Sequence, residues 1–184
     1  MLLGQASPDS VNQVWISDIT YLPLHTGGFA YLVTWMDLFS RKIVGWQVQA
    51  HMEESLVIEA LQKGLQSRKP ASGLVLHPNR GGQYVLGKFR LLLRKWKCEQ
   101  SMSRAGEVYD NAFAESLFPH VKAELLENGV FLSVADAGTE IFEYIESYYN
   151  PVRRYSALGY KSPYGFEKNH HQNQLNLQGP CPGK

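Results

Sequence analysis

The sequence predicts a mixed α/β fold, a five-stranded sheet flanked by helices, and three observations predict it. β-branched and aromatic runs crowd residues 14–48, helical and strand patterns alternate from 53 to 102, and two more helical stretches follow without a strand between them. At 184 residues, 44% hydrophobic and 19% charged, the chain suits one soluble domain with a core of its own.

The elements follow in order. Residues 1–11 read as a flexible lead-in. Val14–Tyr21, Phe29–Met36 and Ile43–Val48 are strand-like, broken first by Pro23-Leu-His-Thr-Gly-Gly28 and then by Asp37-Leu-Phe-Ser-Arg41, a pattern that predicts a three-stranded meander. From Glu53 to Gln66, Leu56, Ile58, Leu61 and Leu65 recur near helical spacing, and Pro70 closes the stretch. Leu74-Val75-Leu76 reads as a buried strand. A basic amphipathic helix follows around 86–97, with Phe89, Leu92, Leu93 and Trp96 on its apolar side, and Cys98–Met102 is a candidate fifth strand. Asp110 or Asn111 is a plausible N-cap for a helix through Glu115 towards Leu126. Another helix spans about Val134 to Tyr149 and ends at Asn150-Pro151, and the tail 168–184, rich in Asn, Gln, His, Pro and Gly, is expected to be disordered. The four tryptophans, Trp15, Trp35, Trp46 and Trp96, are most simply core or sheet-face residues.

Composition excludes several classes. No apolar run approaches the ~18 residues of a membrane span. The first residues lack the basic and apolar regions of a signal peptide. Cys98 and Cys181 have no paired spacing, which argues against a disulfide framework or zinc knuckle and leaves a reducing cytoplasm as the expectation. A net charge of +1 does not by itself indicate nucleic-acid binding. Its distribution says more: Lys88, Arg90, Arg94, Lys95 and Lys97 form one basic group, and Arg153, Arg154 and Lys161 another. On charge alone each reads equally as a solvated surface.

The chemistry centres on Leu74-Val-Leu-His-Pro-Asn-Arg-Gly-Gly-Gln-Tyr84, where an apolar strand gives way to a polar turn. Open α/β sheets place their sites at such carboxyl ends of strands. Asp18, in Val14-Trp-Ile-Ser-Asp-Ile-Thr-Tyr21, and Glu115, in Tyr109-Asp-Asn-Ala-Phe-Ala-Glu-Ser116, can be set beside Asn79, with 35 residues between positions 79 and 115. Phosphoryl transfer on DNA commonly uses two divalent cations ~3.5–4 Å apart, which need oxygen ligands from separate elements. Taken singly, each residue has a plainer reading: a hydrogen-bonded strand Asp, a turn Asn, a helix-surface Glu. Asp37 is expected to cap a turn or pair with Arg41, and His77 to be a satisfied strand-end histidine.

Six segments in one order carry a resemblance. Trp15-Ile-Ser-Asp-Ile-Thr-Tyr21, Met36-Asp-Leu-Phe-Ser-Arg-Lys-Ile-Val-Gly-Trp46, Asn79-Arg-Gly-Gly-Gln-Tyr84, Gln100-Ser-Met-Ser103, Tyr109-Asp-Asn-Ala-Phe-Ala-Glu-Ser116 and Tyr149-Asn-Pro-Val-Arg-Arg-Tyr-Ser-Ala-Leu-Gly-Tyr160 resemble the catalytic core of bacterial insertion-sequence transposases, in the retroviral-integrase superfamily. The likeness covers 12–167. It implies an RNase H-like fold, metal-dependent cleavage and joining of DNA ends, Mg²⁺ or Mn²⁺ at an Asp, Asp, Glu triad, and a homo-oligomer on DNA. It implies Asp18, Asn79 and Glu115 as the three ligand positions. Lys122 is similar to the family's DNA-contacting lysine, and Arg80, Arg153 and Arg154 are candidate phosphate contacts. The family's upstream helix-turn-helix reader is expected on a separate domain or subunit.

Two departures matter. The family's His-Ser-Asp-Arg-Gly is here His77-Pro-Asn-Arg-Gly81, so a neutral amide stands where the second carboxylate belongs. Pro119, four residues after Glu115, would remove a helical hydrogen bond and clash with the Glu115 carbonyl, costing ~3 kcal/mol or bending the helix. The expectation is an impaired transposase core, with a non-catalytic DNA-binding or assembly module as the alternative. An RNase H-like nuclease on other nucleic acids is disfavoured by Asp110-Asn111 and Arg153–Tyr160.

Overall fold

Strands rich in β-branched and aromatic residues, buried on both faces over most of their length, build the centre of the molecule. The computed structural model describes residues 8–78, 84, 87–101 and 130–177. Strands β1 (Val14–Pro23), β2 (Phe29–Asp37) and β3 (Ile43–Gln49) form the antiparallel meander. Helix α1 (Glu54–Arg68) returns the chain to β4 (Val75–Pro78), parallel to β1, and α2 (Gly87–Trp96) leads to β5 (Glu99–Gln100), parallel to β4. The five-stranded sheet has the order β3-β2-β1-β4-β5. It is the mixed sheet the sequence predicts.

Each face of the sheet buries a different core. On one face Trp15, Val33, Trp35 and Leu76 pack with Leu56, Val57, Ala60, Leu61 and Leu65 of α1 and Phe89, Leu92 and Leu93 of α2. Helix and sheet touch here at backbone distance. A Cβ on Gly45 would lie 2.2 Å from the Ala60 carbonyl oxygen, and one on Gly64 would lie 3.2 Å from that of Val44. The basic residues of α2 are exposed, as a solvated face requires. Trp46 lies on the opposite sheet face with Lys63 over its ring, 5.2 Å from the centroid, and Trp96 is half-buried.

That opposite face packs Leu22, Ala30, Leu32 and Ile43 against Ala137, Ile141, Tyr144, Ile145 and Tyr149. These come from α3 (Val134–Phe142), capped by the Ser133 hydroxyl on the Asp136 N–H, and from a π-helical continuation, Glu143–Tyr149. The sequence predicts one uniform helix over this stretch. The wider π winding buries both Tyr144 and Tyr149, and it ends with the Asn150 N–H on the Ile145 carbonyl, 3.0 Å away. The buried Asn150 carboxamide then accepts from the Ile43 N–H and donates to the Ile43 carbonyl, both at 3.0 Å.

Helix α4 (Pro163–Leu177) corrects one expectation. Composition assigned disorder from Lys168 onward, yet the helix continues to Leu177. Tertiary contacts outweigh its weak Asn- and Gln-rich propensity. Phe166 and His170 pack on Phe39, with centroids 5.1 and 4.9 Å away, and Glu167 forms a bidentate pair with Arg68 at 2.7 Å. Just after residues 1–11, the Asn12 N–H donates to the Asp37 carboxylate at 2.6 Å. The helix expected through Glu115, with Pro119, lies outside the described residues. Among the described residues no helix is long and apolar enough to cross a membrane.

Candidate functional site

Period-two alternation puts Ile16, Asp18, Thr20 and Leu22 on one face of β1. Their partners on β2 are Met36, Thr34, Leu32 and Ala30, and His77 of β4 pairs with Ile16. An island of buried polar residues therefore interrupts an apolar face. Asp18 (9% exposed), Thr20, Thr34 and His77 lie between the small Ile16–Met36 cluster and the larger one around Leu22 and Leu32. A carboxylate buried in a central strand is unusual enough to mark a site. The Asp18 Oδ1 accepts from the Ile19 N–H at 2.9 Å, which fixes the side chain.

The other face supports this island from behind. The Ser17 and Tyr84 hydroxyls are 2.9 Å apart in the core, and the Gln100 side chain donates to the Tyr84 carbonyl at 3.1 Å. Burial pushes the Tyr84 phenol well above its ordinary value, against the Ser17 hydrogen bond, and the negative charge of Asp18 pushes the same way. Tyr84 stays a neutral phenol at physiological pH. Its role was not read from the sequence, although its aromatic character after a Gly-rich turn was the available signal.

The parallel β1–β4 register runs Val14–Val75, Trp15–Leu76, Ile16–His77 and Ser17–Pro78. β4 thus ends beside the residue that precedes Asp18. Asn79, Arg80, Glu115 and Lys122 lie outside the described residues, so of the three predicted ligand positions only Asp18 is located. Arg153 donates to the Tyr144 hydroxyl at 2.8 Å and lies over the Tyr155 ring, while Arg154 is exposed.

A second polar cluster lies at the start of β1. Asp37 is buried and caps its turn: its carboxylate accepts from the N–H groups of Phe39 and Ser40, and its carbonyl accepts from the Arg41 N–H at 2.9 Å. Burial raises its carboxyl above the ordinary 3.8, against the N–H groups of Asn12 and Ser40 and the charge of Arg68, with Glu167 adding to the rise. Glu167 accepts from Ser40 Oγ at 2.7 Å, from Lys42 Nζ at 3.3 Å and from both Arg68 Nη atoms. Burial alone would raise its carboxyl, but Arg68, Lys42 and Ser40 together hold it below the ordinary 4.5. No sequence signal marks this clasp, because Glu167 lies 99 or more residues from each of its partners.

The integrase core domain family matches residues 8–107, and a second integrase core domain description matches 96–163. The chain is 43% identical over 157 residues to the transposase for insertion sequence element IS904 of Lactococcus lactis subsp. lactis, covering 85% of this chain and 62% of that protein. It is 39% identical over 156 residues to the transposase InsF for insertion sequence IS3A of Escherichia coli K12, covering 85% and 54%. The chain thus spans less than two thirds of the length of either relative. Among solved structures it resembles the HTLV-2 integrase catalytic core domain in complex with magnesium (dimeric form), at TM-score 0.61 and 13% identity, covering 85% and 97%. It also resembles a chain of the simian T-cell lymphotropic virus intasome in complex with PP2A regulatory subunit B56 gamma, at TM-score 0.66 and 14% identity, covering 85% and 54%. Such identities speak for the fold, which is RNase H-like. With its mixed sheet, its buried strand carboxylate and these matches together, the chain belongs to the integrase core domain family, among relatives that are insertion-sequence transposases.

Proposed function

We propose that this chain is the catalytic core of a bacterial insertion-sequence transposase, working in the cytoplasm on DNA ends, and that Asn79 impairs its chemistry. The observation that carries the proposal is the buried Asp18 on the central strand, beside the end of parallel β4, in a chain of this family. Asp18, Asn79 and Glu115 are the proposed metal positions for Mg²⁺ or Mn²⁺. When bound, such cations polarise phosphate oxygens and activate the attacking hydroxyl. The donor set suits a hard cation, since two carboxylates and an amide oxygen are all oxygen ligands. It is one negative charge short, because an Asn carbonyl is neutral.

Asp18 enters this role pre-oriented by the Ile19 N–H, so little ordering remains on binding. Arg80, Lys122, Arg153 and Arg154 are proposed phosphate contacts, which fix DNA without reading its sequence. The active form is proposed to be a homo-oligomer, with a helix-turn-helix reader on a separate domain or subunit. The amide at position 79 also favours a second reading, a non-catalytic DNA-binding or assembly module.

Calorimetric Mn²⁺ binding and DNA cleavage by this chain and its Asn79→Asp variant separate the two. Metal binding and cutting by the variant alone are expected. Activity in neither supports the binding module, and equal activity in both refutes the impairment.

A further inference from the structure

The segment after the π-helical turns is held rigidly but shows its aromatic residues to solvent. Asn150 ties its start to β3, the Tyr164 N–H donates to the Asn150 carbonyl at 3.0 Å, and Tyr155 and Lys161 pair across a closed turn. Within that frame Tyr160 is 73% exposed and Tyr164 56%. Gly159 and Tyr160 both take left-handed backbone conformations, at φ 63° and 58°. Glycine suits that region, whereas tyrosine is strained there. A strained tyrosine that buries little gains nothing from packing, so its outward ring calls for another use.

Charge indicates what the ring meets. Between Tyr148 and Lys168 the chain carries Arg153, Arg154, Lys161 and Lys168 against one carboxylate, Glu167. Arg68 and Lys42 already neutralise that carboxylate. Lys42 also lies 5.5 Å from the centroid of the Tyr164 ring. Exposed rings interleaved with cations on this loop and the start of α4 match the chemistry of unpaired nucleic-acid strands, where bases stack and phosphates find charge.

We infer that the surface around Tyr160, Tyr164, Arg154 and Lys161 binds single-stranded DNA, with Tyr160 stacking on a base and Arg154 and Lys161 taking phosphates. This rests on the reading of the chain as DNA-acting, and it adds a contact surface built from residues other than the proposed metal positions.

Fluorescence anisotropy of the full chain with labelled oligothymidine, and with a hairpin duplex of equal length, tests it. Tyr160→Ala should weaken oligothymidine binding about tenfold and duplex binding less than about twofold, since stacking on a ring serves unpaired bases. Tyr160→Phe should retain binding, and Lys161→Ala should lower the salt slope by ~0.7. Tyr160→Gly, which relieves the backbone, should melt at or above the parent temperature and still lose oligothymidine binding, an outcome a structural role does not give. Equal losses on both DNAs, or none on oligothymidine, overturn the inference. If Tyr160→Ala binds oligothymidine normally while the Asn79→Asp chain cuts DNA, the inference fails and the transposase reading stands. If the parent binds neither DNA, both fail.

Discussion

Replacing Glu167 with Ala should unclasp α4 from the sheet. The carboxylate accepts four hydrogen bonds, from Ser40 Oγ, Lys42 Nζ and the two Arg68 Nη atoms. Its side chain is 13% exposed and that of Arg68 15%, so the variant takes the paired carboxylate from a largely buried guanidinium whose Nε still donates to Asn12 Oδ1. Breaking a buried pair typically costs ~3–5 kcal/mol. The clasp borders a groove lined by Arg68, Glu167, His170 and His171, and solvent there pulls the figure to the lower end, about 3 kcal/mol. For a chain of this size that is a Tm lower by about 6–12 °C.

Circular dichroism melts between pH 3 and 7 read the effect. Glu167 titrates below the ordinary 4.5, so its stabilisation is complete above 4.5 and is lost as pH falls through the lower folded value. The Tm gap between parent and variant should therefore be full at neutral pH and close in acid. Asp37 has the opposite sign. Its raised folded value makes its contribution complete below 3.8 and lost as pH rises through that folded value, and Glu167→Ala removes one of the charges that raise it. Adding Arg68→Met should recover part of the loss. A gap under about 2 °C at neutral pH, or one that stays constant into acid, refutes the clasp as argued.

Two further substitutions test the frame. Gly45→Ala puts a Cβ 2.2 Å from the Ala60 carbonyl oxygen and must push α1 from the sheet, so a loss of at least ~1–3 kcal/mol is expected in urea unfolding. Asn150→Ala strips the Ile43 N–H and carbonyl of their side-chain partner in a buried site, with an expected loss of ~2–4 kcal/mol read in the same experiment.

The meander and α1 were legible from local pattern: β-branched and aromatic runs broken by turn residues in the strands, and helical spacing in Leu56, Leu61 and Leu65. Their observed bounds differ from the expected ones by a residue or two at most ends. Asp18 is singled out in the sequence by its motif, and the structure places it in a buried polar island, while its role as a metal ligand remains a proposal. The π winding after Phe142 was not legible, since apolar spacing does not distinguish it from an α-helix over two turns. Nor was α4 beyond Lys168, where a contact made by Glu167 and Phe166 on distant residues outweighs local composition. Asn79 and Glu115 rest on the sequence and the family alone.

The Asn150 carboxamide has a consequence for the border of the sheet. β3 is the outermost strand on its side, and such a strand offers unpaired N–H and C=O groups to any passing chain. At Ile43 those two groups are already taken by one side chain, which imitates the rung of a neighbouring strand. Another polypeptide cannot zip onto β3 from that end without first displacing Asn150. A single amide thereby blocks strand addition at that end of β3.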